Sequence, residues 1–192
     1  MTDYHSDFIA QLNAFVALDK KEESDRLQTL DFVTAKGCPA AYLRTTTEGH
    51  ICGSAFILSP DMTSGLMINH RFLKKWLQLG GHADGNANIL EVALREAQEE
   101  SGLEGFDVLV RGIFDIDVHV IPNRPERGEP EHLHYDIRYL LRAKSTDFII
   151  NQEESTGLAW VSLQEIANLP QSSVNRMAKK AIHYLAMLKN VA

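Results

Sequence analysis

Cysteine is scarce: there are two, Cys38 and Cys52, in 192 residues. They lack the paired spacing that holds a structural metal, and two thiols make no disulfide framework. The expectation is a reducing, cytoplasmic setting with both thiols as inert apolar filler. No run of eighteen apolar residues occurs in the sequence, so no spanning helix is expected. The opening residues MTDYHSDF carry acids and no apolar run, which is not the pattern of a secretory leader. Excess positive charge is missing too. The formal net charge is −7, and without a basic stripe a nucleic-acid duplex is not the expected partner. A small phosphorylated ligand stays open, because a metal ion inverts the charge of an acidic pocket. Repeats and low-complexity tracts are also missing.

What is present is an ordinary globular mixture, 44% hydrophobic and 23% charged, long enough to bury a core without staples. Phe8, Ile9, Leu12, Phe15 and Val16 recur at helical spacing and predict a helix over 5–17. A second helix is expected from about Ser24, using Leu27, Leu30 and Val33. Gly37 and Pro39 then break the pattern. Residues 50–59 and 64–70 read as strands around a Pro60–Asp61 turn. A helix is expected over 88–101, and longer strands over 107–121 and 132–143, joined by the loop PNRPERGEP. A short strand over 157–161 follows. Ser162 and Glu165 form a capping box. Val174, Met177, Ala178, Ala181, Ile182, Leu185 and Leu188 give a last helix over 173–189 one apolar face. Helices and strands in this mixed order imply a layered α/β or α+β domain.

The segment Leu79–Leu103, LGGHADGNANILEVALREAQEESGL, carries the chemistry. Asn88 is placed to cap the helix, with Glu91 three residues on. Gly102 stands where a left-handed terminal residue is wanted. Leu90, Ala93, Leu94 and Ala97 are expected to face the core. With Leu90 at zero and about 100° per residue, Glu96 points to about 240°, Glu99 to about 180° and Glu100 to about 280°. Three carboxylates thus share an arc about 100° wide beside the apolar face. Arg95 has Glu91 and Glu99 within pairing distance, four residues either way. The surplus negative charge suits a hard cation such as magnesium, which takes oxygen ligands and keeps several waters.

This segment resembles the Nudix signature, G-x5-E-x7-R-E-U-x-E-E-x-G-U, with U aliphatic. Gly81 takes the first position, and Arg95, Glu96, Ala97, Glu99, Glu100, Gly102 and Leu103 fall in register behind it. Ala87 stands where the family has its first glutamate. Glu91 does not replace it, since it points to about 100° on the wheel. WLQLGGHADG followed by HLHYDIRYLL resembles a bacterial branch of the family. The resemblance spans 45–192 and leaves 1–44 as an N-terminal helical extension. It implies an α/β/α sandwich around a mixed sheet. It further implies that Glu96, Glu99 and Glu100, with the backbone carbonyl of Gly80, hold Mg2+ or Mn2+, and that Arg95 orients a glutamate. The implied reaction is water attack on a diphosphate linkage, with a nucleotide-like substrate. Glu99, Glu153 and Glu154 are candidates for the general base. Glu154 is preferred over Glu153 because it lies closer to the strand leading to Trp160. Family members are often dimers, so a homodimer is compatible with this reading.

A second constellation lies on the strands. Asp115, Asp117 and His119 alternate with apolar residues, as do His132, His134, Asp136 and Arg138. Period two puts each set on one face. If the strands pair, that face is a polar floor, which His82 can join. Such a floor is either a hydrated sheet surface or a substrate cradle in which His82, His119 and His134 contact phosphate. A dedicated transition-metal site is the least favoured version. Arg124 and Arg127 either reach the substrate or lie in solvent. Lys74 and Lys75 are read as solvated surface, with phosphate contact as the alternative. Trp76 packs or stacks on a base. Three rival functions stand beside the hydrolase reading. A Nudix-fold sensor that binds without cleaving is left room by Ala87. An isopentenyl diphosphate isomerase needs a cysteine where Gly80, Gly81 and His82 stand. A protein–protein adaptor would use the N-terminal helices.

Overall fold

The computed structural model describes residues 3–70, 75–125, 128–149 and 155–190. In chain order the elements are α1 (Tyr4–Ala14), α2 (Lys20–Lys36), β1 (Gly49–Leu58), β2 (Ser64–His70), β3 (Trp76–Leu77), β4 (Leu79–His82), α3 (Ile89–Ser101), β5 (Phe106–Val108), β6 (Asp115–Ile121), β7 (His132–Ala143), β8 (Ser155–Ser162), α4 (Leu163–Ala167) and α5 (Ser172–Lys189). A 3-10 turn at Ala40–Tyr42 precedes β1. The chain divides into two units. One comprises Met1–Ser54, Gly80–Glu96 and Val110–Tyr139; the other comprises Ala55–Leu79, Ala97–Leu109 and Leu140–Ala192.

In the first unit Asp3 caps α1 by accepting from the Ser6 amide, and Asp19 caps α2 by accepting from the Glu22 amide. Both helices differ from the sequence reading. α1 ends at Ala14 and Val16 is 86% exposed, so a further turn would gain no tertiary support. α2 starts at Lys20, not Ser24, and its buried stripe is Glu22, Asp25, Thr29, Phe32 and Val33. Leu27 is exposed. Apolar spacing misleads here because the buried face is polar and internally bonded. Glu22 accepts from the Leu18 amide at 2.6 Å, and Lys21 clamps Asp25. The Thr29 hydroxyl donates to the Asp25 carbonyl.

The expected strand over 107–121 is two strands, both antiparallel to β7. β5 pairs Phe106 with Ala143, and β6 pairs Asp115 with Arg138 through Ile121 with His132. Between them the chain leaves the edge after Leu109 and rejoins at Phe114, with Gly112 at φ +93° in the excursion. The β6–β7 register sets His119 opposite His134 and Asp117 opposite Asp136. Period two therefore gathers the polar residues of both strands on one face, as the sequence pattern required. The opposite face carries Ile116, Val118, Tyr135 and Ile137, all buried. α2 covers it: Phe32 stacks on Tyr135 with ring centroids 4.2 Å apart.

The second unit holds the antiparallel pairs β2–β8 (Ser64 with Ser162 through His70 with Ser155) and β2–β3, and the end of β1 on β2 (Leu58 with Gly65). β3 and β4 have no counterpart in the sequence reading. The β1–β2 turn is held by Asp61, which accepts from the Ser59 and Thr63 hydroxyls and the Thr63 amide. The Ser162–Glu165 capping box starts α4 as expected. On α5, Val174, Met177, Ala178 and Ala181 are buried, but Leu188 is 44% exposed, so the apolar face is used only in its first turns. Among the described residues no helix is long and apolar enough to cross a membrane.

The floor of the first unit contains one deeply buried cation. Arg138, 2% exposed, reaches Asp136 (2.7 Å), Asp115 (3.1 Å) and Asp117 (3.3 Å). Asp136 also accepts from the Ser54 hydroxyl at 2.6 Å, tying β1 to β7. Removing one partner of a buried ion cluster costs about 3–5 kcal/mol, while an exposed pair is worth under about 1 kcal/mol. Arg138→Leu should therefore lower the free energy of urea unfolding by at least about 3 kcal/mol. Arg142→Leu, which loses a more exposed pair with Asp107, should lower it by no more than about 1 kcal/mol. Equal losses in the two variants would refute the distinction.

Candidate functional site

α3 is the helix the signature predicted. The Asn88 side chain accepts from the Glu91 amide, and Gly102 adopts φ +66° while its amide bonds the Gln98 carbonyl. Its buried face differs from the expectation. Ile89, Val92, Ala93 and Ala97 are buried, whereas Leu90 and Leu94 are only half-buried. On the wheel used above these buried positions run from about 200° to about 340°, centred near the directions of Glu96 and Glu100. Two of the three glutamates therefore lie on the buried side of the helix, not beside it. Glu100 is 8% exposed and the Glu96 side chain 14%, while Glu99 is exposed.

Backbone approaches Glu96 closely. A Cβ on Gly81 would sit 2.5 Å from its Oε2, and one on Gly80, at φ +155°, would sit 2.1 Å from the Ser54 hydroxyl. Glycine at both positions lets β4 run against β1 on one side and Glu96 on the other. Arg95 pairs with Glu96 at 2.9 Å, and its guanidinium donates to the His82 carbonyl at 3.2 Å. Its side chain thus links the helix to the end of β4. Glu91 accepts from Asn86 instead.

The polar floor is more crowded with histidine than the sequence reading held. His82 and His134 come together as expected, 5.2 Å between ring centroids, and His119 stands 5.7 Å from His134. His50 on β1 joins them, 4.7 Å from His134, 4.9 Å from His82 and 5.0 Å from His132. Cys52, two residues along the same strand, is buried in the group. His50 and Cys52 were missed because cysteine was read for paired cysteine spacing. The alternation of His50 and Cys52 in an expected strand was the available signal. Burial holds the His134 imidazole down to about 2 and His50 to about 4, with the neighbouring rings adding to the effect. Burial likewise lowers His82. Burial alone would raise Asp117, but its hydrogen bond with His119 and the Arg138 charge outweigh this and hold it well below the usual carboxylate range.

Other expected site residues lie apart or outside the description. Arg124 closes its own loop, exchanging backbone hydrogen bonds with Glu129 and pairing with it at 3.8 Å. Glu153, Glu154, Lys74 and Arg127 lie outside the described residues. Lys75 is exposed and Trp76 half-buried.

The fold, a mixed sheet with flanking helices, has counterparts among solved structures. A NUDIX-family hydrolase from Clostridium perfringens superposes with a TM-score of 0.51 at 23% identity, covering 69% of this chain and 95% of that one. The C. elegans Ap4A hydrolase binary complex superposes at 0.52 with 15% identity, covering 71% and 97%. The family model for the NUDIX domain matches residues 54–183, and the chain belongs to that family. A probable DHNTP pyrophosphohydrolase of Lactococcus lactis subsp. cremoris (strain MG1363) is 29% identical over 97 residues, 50% of this chain and 56% of the relative. The asymmetrical bis(5'-nucleosyl)-tetraphosphatase of Rattus norvegicus is 32% identical over 97 residues, 50% of this chain and 61% of the relative. The chain thus spans just over half the length of the curated relatives it matches.

Gly81 offers a test of the site geometry. The atom a methyl group would meet is the tip of a flexible glutamate, so Gly81→Ala should displace Glu96 and leave the fold standing. Circular dichroism and the melting temperature should stay close to wild type, while a crystal structure of the variant shows the Glu96 carboxylate moved away from residue 81. An unmoved Glu96 would show that the contact does not position it.

Proposed function

We propose that the chain is a divalent-metal-dependent hydrolase of a diphosphate linkage, in a nucleoside diphosphate joined to another group. The observation that carries this reading is the turning of Glu96 and Glu100 into the buried side of α3, with Gly81 backbone against Glu96. Sinking carboxylates together is costly unless a cation compensates them. The donor set is all oxygen, which fits magnesium or manganese. Glu96, Glu99 and Glu100 would hold the ion, with the Gly80 carbonyl as a further ligand. When bound, such an ion neutralises charge on the phosphate oxygens and lowers the pKa of a coordinated water.

The chain's own groups divide the remaining work. Arg95 fixes the Glu96 carboxylate and, through the His82 carbonyl, the loop that follows β4. A carboxylate must accept the proton of the attacking water. Glu99, exposed on the helix, would serve, and Glu154 is the alternative. His119, at the rim of the polar floor and bonded to Asp117 at 3.0 Å, would donate to a phosphate oxygen. Arg124 is a further phosphate contact should its loop approach the ligand. The relatives support the substrate class: one is named a pyrophosphohydrolase and the other a tetraphosphatase, and both names describe cleavage of a phosphoanhydride chain.

A panel of diphosphate and polyphosphate compounds, incubated with magnesium and resolved by mass spectrometry, tests this reading. Wild type should convert at least one member. Glu96→Gln and Glu100→Gln should each lose about 100- to 1000-fold, the equivalent of several kcal/mol of charge stabilisation. A ligand bound tightly but returned intact would instead favour the sensor reading that Ala87 leaves room for. An inert panel with no bound ligand would defeat both.

A further inference from the structure

We propose that His50, Cys52, His82 and His134 form a transition-metal site of the zinc class, separate from the carboxylate patch of α3. Three strands supply it: β1 gives His50 and Cys52 from one face, β4 gives His82 at its end, and β7 gives His134. One candidate ligand atom from each lies within 4.8 Å of every other. A tetrahedron built from zinc–nitrogen and zinc–sulfur bonds has edges of roughly 3.4–3.8 Å. Small side-chain rotations therefore bring the four onto one ion.

The second observation is the state of the imidazoles. Both ring nitrogens of His50 and Nε2 of His134 are buried with no hydrogen-bond partner. The Thr46 carbonyl lies near the His50 ring without reaching hydrogen-bonding geometry. His50 is 2% exposed, so water does not serve it either. A buried polar atom without a partner forfeits its hydration, and a lone pair aimed at a common centre is what a metal takes. The donor chemistry selects the ion. Three imidazoles and a thiol are soft or borderline ligands that suit zinc and its neighbours and not magnesium. Coordination deprotonates the thiol.

Four protein ligands close the shell, which is the pattern of a structural and not a catalytic zinc. Its place in the chain gives it a task. His82 directly follows Gly81, whose backbone touches Glu96, and the His82 carbonyl receives Arg95. An ion on His82 pins the end of β4 and so the loop beside the glutamates. This assignment moves His82 and His134 from substrate contact to metal ligation.

The test uses the full chain stripped with a chelator and titrated with cobalt(II), then zinc(II), each alone. A single equivalent of cobalt should give visible bands of tetrahedral intensity and a thiolate-to-cobalt charge-transfer band. Zinc should displace it and raise the melting temperature. Cys38 is the other cysteine of the chain, so Cys38→Ser must keep the charge-transfer band, and Cys52→Ser and His134→Gln must lose it or lose the stoichiometry. If the latter two fail to fold, the Cys38→Ser spectrum alone decides. Glu100→Gln should bind zinc as wild type does, which separates this site from the proposed magnesium patch. No charge-transfer band in Cys38→Ser, or no zinc retained after buffer exchange, overturns the proposal.

Discussion

A guanidinium with almost no solvent contact, encircled by three aspartates, sets the geometry on which the polar floor depends. Arg138 on β7 bonds Asp115 and Asp117 on β6 and Asp136 on its own strand. A one-residue slip of β6 along β7 would turn both aspartates to the apolar face and strand the charge. The register that satisfies Arg138 is the one that puts His119 opposite His134. Through Asp136 and the Ser54 hydroxyl the same cluster also fixes β1, the strand that carries His50 and Cys52. Fixing a register is the best-attested use of buried charge, and here it aligns three strands at once.

Acidic groups are thus used in two ways in one fold. On the floor, three carboxylates share one internal cation, which leaves two surplus negative charges. On α3, Glu96 has Arg95 beside it, but Arg95 also serves the His82 carbonyl and is itself half exposed. Hard oxygen donors collect on α3, and nitrogen and sulfur donors collect on β1, β4 and β7. The two donor sets meet along Gly80–Gly81–His82 of β4, where glycine lets a strand pass between a serine and a glutamate.

Legibility in the sequence followed the range of the signal. The α3 helix, its Asn88 cap, its Gly102 terminus and the Ser162–Glu165 box rest on residues three or four apart and were read correctly. The polar face of β6 and β7 was legible because alternation survives without knowledge of partners. The direction of α3's buried face was not, because charge was assumed to stay outside the apolar arc, and Glu96 and Glu100 violate that assumption. α2 was misplaced for the same reason, since its interior stripe is made of Glu22, Asp25 and Thr29. β3 and β4 are too short to show a period. The histidine–cysteine group is nonlocal: its members are separated by two, thirty and fifty-two positions, and only strand pairing assembles them.

The N-terminal helices fit into this picture by which face they occupy. A hairpin whose two faces differ so sharply needs cover on one side only. Phe32 stacks on Tyr135 on the apolar side of β6 and β7, and Lys21 donates to the Val118 carbonyl at 3.3 Å. α1 adds to this layer through Phe8 and Leu12, which are buried, and through His5, which bonds the Tyr42 hydroxyl at 2.8 Å. Because side chains alternate, Tyr135 and Val118 each lie one position away from members of the polar floor. Burial of Tyr135 holds His134 and Asp136 in place, and burial of Val118 holds Asp117 and His119. Helices α1 and α2 therefore support the hairpin from its apolar side, opposite the histidine face.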